Sequence, residues 1–154
     1  MRKLALLVLF YQATPTIATA QVASDSVRQV IYQFFDAMRS TDTAQLRQLL
    51  TPNVIFQTIR AHRDGTVTIE NESVDAFLKS IASLKAGQAD ERIEFSSILI
   101  DNNLATVWTP YQFYFNGEFS HCGVNSFTLV NSSSQWKIHY IVDTRRKLGC
   151  LPTK

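Results

Sequence analysis

The spacing of apolar residues changes along this chain, from a helical period in the first half to alternation in the second. Apolar side chains first recur every three or four positions. This spacing predicts a helix whose apolar face consists of Val27, Val30, Ile31, Phe34, Phe35 and Met38. Ser24 or Asp25 is placed to cap this helix. A shorter helix follows over 43–50 and ends at Pro52, because the residue before a proline disfavours helix.

The middle of the chain predicts a hairpin and a third helix. Two short strands, 54–60 and 66–69, flank the Asp64-Gly65 turn. The third helix begins at residues 71–73 and stops at Gly87. Its apolar face consists of Val74, Phe77, Leu78, Ile81 and Leu84.

From residue 92 the period is two, which is typical of strands. Asn102-Asn103, Asn116-Gly117 and the loop 131–135 divide this region into antiparallel neighbours. Pro110 cannot donate a ladder hydrogen bond, so a bulge or bend is expected there. The four long predicted strands are 92–100, 104–115, 118–130 and 136–145.

These elements predict an α+β domain in which three N-terminal helices pack on a strongly curved, mainly antiparallel sheet. The order of elements resembles the nuclear-transport-factor-two-like superfamily, the cone-shaped fold of SnoaL-like and ketosteroid-isomerase-like proteins. The pieces that carry the resemblance are the helix 27–38 with Asp42 and 46–50, the strand Ala105-Thr106-Val107-Trp108, and the closing strand Trp136-Lys137-Ile138. It implies a cone with a cavity but no catalytic motif, since the superfamily includes isomerases, dehydratases, ligand-binding proteins and dimerisation modules.

Residues 1–20 have the pattern of a secretory signal peptide. Arg2 and Lys3 precede an apolar run over 4–11, and Ala18-Thr19-Ala20 offers the small residues that a signal peptidase reads. The alternative is a membrane anchor, but eight apolar residues fall short of the roughly 20 that cross a bilayer. We therefore predict cleavage near Ala20, export to the periplasm or beyond, and a single domain over 21–154.

Charge and motifs exclude several classes of function. The 154-residue chain has a formal charge of +2, and the two excess positive charges lie in residues 1–20. The remaining domain is formally neutral and has no basic run, so nucleic acid and a stable membrane anchor are not expected as partners. The histidines and cysteines lack metal-ligand spacing, and no phosphate-binding glycine loop or nucleophilic serine motif occurs. We predict no metal and no cofactor.

Cys122 and Cys150 are the two cysteines of the chain. Because an exported protein meets an oxidising compartment, a disulfide between them is the first interpretation. The tail must then fold back after the last strand, and Gly149 makes that bend inexpensive. The alternative is a buried thiol and a loose tail cysteine.

His121 and Asp143 are the candidate catalytic residues. An imidazole titrates near neutral pH, and a buried carboxylate can act as a base. The alternatives are a histidine hydrogen-bonded at the sheet rim, and a surface ion pair between Asp143 and Arg145.

A ligand pocket is predicted from side chains that alternate along the last strands. If Phe127 and Ile138 face the core, then His121, Asn125 and Tyr140 face it too, and Asp143 points the other way. A bulge would instead bring Asp143 inward. The predicted pocket residues are Trp108, Tyr111, Phe113, Asn125 and Tyr140.

Three functions remain open. The first is binding of a small, mostly apolar molecule in the cone cavity. The second is a cofactor-independent isomerase or lyase that uses His121 or Asp143 for proton transfer. The third is an interaction module that forms a homodimer through the outer face of the sheet.

Overall fold

The computed structural model describes residues 16–62 and 64–150. These residues form three α-helices and one curved sheet of seven β-strands, most of which are antiparallel. The helices are α1 (Thr16–Ser40), α2 (Thr43–Leu49) and α3 (Val74–Ala82). The strands are β1 (Leu50–Ala61), β2 (Val67–Glu72), β3 (Ala89–Ile93), β4 (Ser97–Asp101), β5 (Leu104–Phe115), β6 (Glu118–Ser132) and β7 (Gln135–Arg146).

Helix α1 is longer than its apolar spacing predicts. It begins at Thr16 and crosses the predicted cleavage point, while residues 1–15 of the predicted signal peptide lie outside the described residues. Ser24 and Asp25 are interior positions instead of caps, since no glycine or proline interrupts the helix before Ser40. No helix in the described ranges is long and apolar enough to cross a bilayer.

The predicted strand 92–100 is wrong, because two shorter strands replace it. Both β3 and β4 pair with β5, and the break between them faces Pro110. A proline has no N–H to offer a neighbouring strand, so the ladder stops there. The carbonyl of Pro110 still accepts from the N–H of Glu94 at 2.9 Å.

The sheet has the order β2-β1-β7-β6-β5-β3, with β4 beside β5, and the β1–β7 pair is parallel. The pairing of β5 with β6 runs unbroken through Pro110, so the bulge predicted at the proline is wrong. The register slips elsewhere, by one residue at Ser120 in β6 and by one at His139 in β7. Beyond His139, the side chains of β7 therefore point to the opposite face from the one that simple alternation predicts.

The helices cover one face of the sheet, which we call the inner face; the opposite face is the outer face. Rings of Phe34 and Phe35 on α1 contact Phe127 on β6 with centroids 6.2 and 6.0 Å apart. The fully buried apolar core includes Val27, Ile31, Leu46, Val107, Phe127, Leu129 and Ile138. This core is buried between the helices and the sheet, and it holds these two layers in place around the site described below.

The predicted disulfide is confirmed. Cys122 on β6 is bonded to Cys150, with 5.8 Å between their Cα atoms. Gly149 has φ of +66°, a conformation that glycine adopts without a steric penalty, so the tail folds back as predicted. A bond between residues 28 positions apart stabilises a fold by about 3–4 kcal/mol through the unfolded chain.

Candidate functional site

The buried polar residues of the sheet form one row on its inner face. Thr109, Asn125, Asp143 and Thr58 pair in that order across β5, β6, β7 and β1. All four are less than a tenth exposed. Such a concentration of polar groups in a core is unusual, since most buried positions of a sheet are apolar.

The adjacent inner row is apolar and forms the wall of a cavity. It consists of Val107, Phe127, Ile141 and Phe56 on the same four strands. Helices α1 and α3 cover the cavity with Phe34, Phe35, Met38 and Phe77. The cavity has a volume of about 90 Å³ and opens to solvent, and Asn125, Asp143 and Thr58 of the polar row lie at one side of it.

Glu91 on the edge strand β3 completes the polar side of the cavity. Its Oε1 accepts a hydrogen bond of 2.7 Å from the amide Nδ2 of Asn125. Burial raises the pKa of Glu91 to about 7; the bond from Asn125 opposes the rise, and the charge of Asp143 adds to it. Sequence reasoning missed Glu91, because the strand was predicted to begin one residue later.

Asp143 is held by two neighbours on the inner face. Arg145 Nε donates to its Oδ2 at 2.7 Å, and the hydroxyl of Tyr111 donates to the same oxygen at 3.2 Å. Arg145 Nη2 also donates to Thr58 Oγ1 at 3.2 Å. The side chain of Asp143 is 11% exposed and that of Arg145 is 44% exposed, so the pair lies at the border between cavity and solvent.

Tyr111 reaches β7 because Gly123 lies between them on β6. The tyrosine hydroxyl also donates to the backbone carbonyl of Thr144 at 3.0 Å. A Cβ at position 123 would lie 2.8 Å from the ring and 1.7 Å from the Thr144 carbonyl oxygen. Burial raises the pKa of Tyr111, so it remains a neutral donor to Asp143.

His121 lies on the inner face next to the cavity and does not line it. Its ring centroid is 5.0 Å from that of Phe113 and 5.8 Å from that of Tyr111, and its Nδ1 is 3.1 Å from Ser120 Oγ. Burial and the charge of Arg145 lower the pKa of His121, which leaves the imidazole neutral at pH 7. The catalytic roles of His121 and Asp143 stay predictions, and only Asp143 faces the cavity.

The predicted pocket residues divide between the two faces. Asn125 lines the cavity, while Tyr111 and Phe113 lie beside it on the inner face. Trp108 and Tyr140 lie on the outer face, so the expectation that they face the cavity is wrong. Trp108 is 46% exposed. Tyr140 is turned outward by the extra residue at His139, and its hydroxyl donates to Gln57.

A wider depression of about 1080 Å³ lies between the start of α1 and the β6–β7 turn. Its lining combines amides and hydroxyls with Val30, Leu49 and Trp136, and it contains no carboxylate. In the ranges that the structure describes, no three acidic, histidine or cysteine side chains are grouped to hold a metal ion. The cavity on the inner face is therefore the candidate site.

Comparison with protein families gives one match, over residues 22–140, to the family described as putative lumazine-binding. The chain belongs to this family. The match runs from α1 to the first half of β7, so it includes the apolar wall and the polar row except for Ile141 and Asp143. No functionally curated protein matches the chain.

Solved structures of the same fold are numerous and distant in sequence. An NTF2-like protein of unknown function from Silicibacter pomeroyi is 16% identical, with a TM-score of 0.62 over 84% of this chain and 98% of that one. An NTF2-like protein with a cystatin-like fold from Novosphingobium aromaticivorans is 12% identical, with a TM-score of 0.65 over 84% and 86%. One from Shewanella baltica is 10% identical, with a TM-score of 0.60 over 88% and 98%. The chain has the nuclear-transport-factor-two-like cone fold.

The geometry of the site allows two kinds of chemistry. A carboxyl group with a pKa near 7 can exchange its proton at neutral pH, and Glu91 lines the cavity whereas His121 does not. The polar row can also orient a bound molecule whose apolar part contacts the phenylalanine rings.

Proposed function

We propose that the protein binds a small molecule in the inner cavity, with the apolar part of the ligand against the phenylalanine wall and its polar end against the row of Asn125 and Asp143. The observation that carries this proposal is the separation of apolar and polar lining into adjacent rows of one cavity. Concave sites that combine an apolar wall with a few convergent polar groups are typical of ligand binding. The family's description, putative lumazine-binding, supports a ligand-binding role.

The size of the cavity limits the ligand. A volume of about 90 Å³ is below the roughly 300–1,000 Å³ of common ligand sites. A compact group of four or five heavy atoms suits this space, whereas a fused-ring compound such as lumazine requires the mouth near Arg145 to widen.

tert-Butanol is a suitable first probe, because it is compact and has one polar group. We expect it to bind, and Ile141→Phe to weaken binding at least tenfold because the larger ring fills the cavity. Ligand-observed NMR titration measures both dissociation constants. Leu148→Phe is the control, since Leu148 is an exposed residue of the tail, away from the cavity and from the outer face. Equal affinity in the two variants would contradict the proposal.

Export is supported by the disulfide. Structural disulfides form and persist in oxidising compartments, and the bond between Cys122 and Cys150 fits that environment. We therefore propose that residues 1–20 are removed and that the domain acts in the periplasm or outside the cell.

A homodimer through the outer face is supported by the lack of charge there. Three paired rows cross this face and contain only uncharged residues. They are Thr106, Thr128, Tyr140 and Ile55; Trp108, Ser126, Val142, Gln57 and Asn71; and Pro110, Val124, Thr144, Ile59 and Ile69. A two-fold axis places such a patch against its own copy without burying a charge.

Native mass spectrometry tests both export and dimer formation. The protein is expressed with its own N-terminus and then recovered for the measurement. We expect a chain that begins near Gln21 and a mass of two copies. Trp108→Lys should shift the mass to one copy, because it buries an unpaired charge in the interface. Leu148→Lys, at an exposed position of the tail, is the control and should remain dimeric. An unprocessed chain would contradict export, and a single-copy mass for the unaltered protein would contradict the dimer.

A further inference from the structure

We infer that the ligand of the inner cavity is a small organic cation, an ammonium group with a compact apolar body. This inference rests on the proposed ligand-binding function and specifies the charge of the ligand. It follows from the balance of charges in the lining and from the aromatic wall.

The lining of the cavity contains more carboxylates than cations. Glu72, Glu91 and Asp143 are the three acids, and Arg145 is the one cationic lining residue among those described. Arg145 is bound to Asp143 at 2.7 Å, so its charge is already compensated. An anionic ligand would meet the two remaining acids, whereas a cationic ligand would pair with them.

The wall of the cavity suits a cation as well as an apolar group. Phe34 contacts three other lining rings, those of Phe56, Phe77 and Phe127, with centroids 6.4, 6.0 and 6.2 Å apart. The face of an aromatic ring attracts an ammonium group, and the attraction grows when water is excluded. Five phenylalanines line this small cavity next to the carboxylates.

Binding of a cation is coupled to the proton on Glu91. The charged and titratable groups around Glu91 are Asp143 and Arg145 on β7 and Tyr111 on β5. Glu72 on β2 belongs to the same lining, and His121, whose pKa is lowered by burial, lies two strands away on β6. Helices α1 and α3 contribute only apolar side chains to the lining. Because the pKa of Glu91 is about 7, the group is largely protonated at pH 6, and a bound cation favours its ionised form. Affinity for a cation should therefore rise between pH 5.5 and pH 8.

Two probes of matched shape, tert-butylammonium and tert-butanol, test the charge of the ligand, and pivalate, which is larger by two heavy atoms, adds an anion. Ligand-observed NMR titrations at pH 5.5 and pH 8 give their dissociation constants. At pH 8 we expect tert-butylammonium to bind at least tenfold more tightly than tert-butanol, and pivalate to bind most weakly. We expect the affinity for tert-butylammonium to be about tenfold lower at pH 5.5, whereas that for tert-butanol should not change.

Glu91→Gln identifies the group responsible. In this variant the affinity for tert-butylammonium at pH 8 should fall to the value that the unaltered protein has at pH 5.5, and the pH dependence should disappear. Glu118→Gln, which removes an exposed carboxylate at the start of β6, should change neither. Binding of tert-butanol without preference for the cation would overturn the inference and leave the cavity as a binding site. Failure of all three probes to bind would overturn both proposals.

Discussion

Gly123→Ala is expected to destabilise the folded protein by about 4 kcal/mol or more, the largest effect of any single methyl group in the site. The added Cβ would lie 1.7 Å from the carbonyl oxygen of Thr144 and 2.8 Å from the ring of Tyr111. Both neighbours are constrained, because the carbonyl belongs to the backbone of β7 and the ring is buried. Relief of the clash requires separation of β6 from β7 and loss of the bond between Tyr111 and Asp143.

Urea unfolding measures this effect, with the midpoint and slope compared between variant and unaltered protein. Ser126→Ala is the control, because it lies three residues further along β6 on the outer face and should change stability by no more than about 0.5 kcal/mol. A loss below about 1 kcal/mol for Gly123→Ala would contradict the close approach of Tyr111 to β7.

Glu91→Gln is expected to stabilise the protein at pH 8 by about 2–3 kcal/mol and to have little effect at pH 4. The pKa of Glu91 is raised from 4.5 to about 7 in the folded state. Between these values the folded state retains a proton that the unfolded chain releases, so stability falls as pH rises from about 4.5 to 7. A neutral glutamine avoids this loss, and its side-chain oxygen can still accept from Asn125.

The measurement is the free energy of unfolding at several pH values from 4 to 8, for the unaltered protein and for Glu91→Gln. The difference should grow through this range and level off above pH 7. For Glu118→Gln, at an exposed position, the curve of unfolding free energy against pH is expected to run parallel to that of the unaltered protein. Parallel curves for Glu91→Gln as well would show that its carboxyl group titrates normally.

The order of helices and strands is largely encoded in local patterns. The helical spacing of Val27 to Met38, the Asn116-Gly117 turn and the disulfide were all predictable, because each depends on a few neighbouring residues or on two cysteines. The division of the predicted strand 92–100 into two strands was not predicted, since it depends on Pro110 in the partner strand.

The faces of the last strands were less predictable than their positions. One extra residue at His139 reverses β7, which turns Asp143 and Arg145 inward and Tyr140 outward. The alternation of apolar and polar residues in the sequence does not reveal such a shift in register. Glu91 was missed for a related reason: β3 is a short edge strand whose partner lies about twenty residues away, and the contact with Asn125 spans two strands.

The position of a bound probe tests the central claim most directly. In a solution of the protein with tert-butylammonium, intermolecular nuclear Overhauser effects should connect the methyl groups of the probe with Phe127 and Ile141 on the inner face. Effects to Trp108 on the outer face, or to Val22 in the wide depression beside α1, would instead place the binding site elsewhere and contradict the claim.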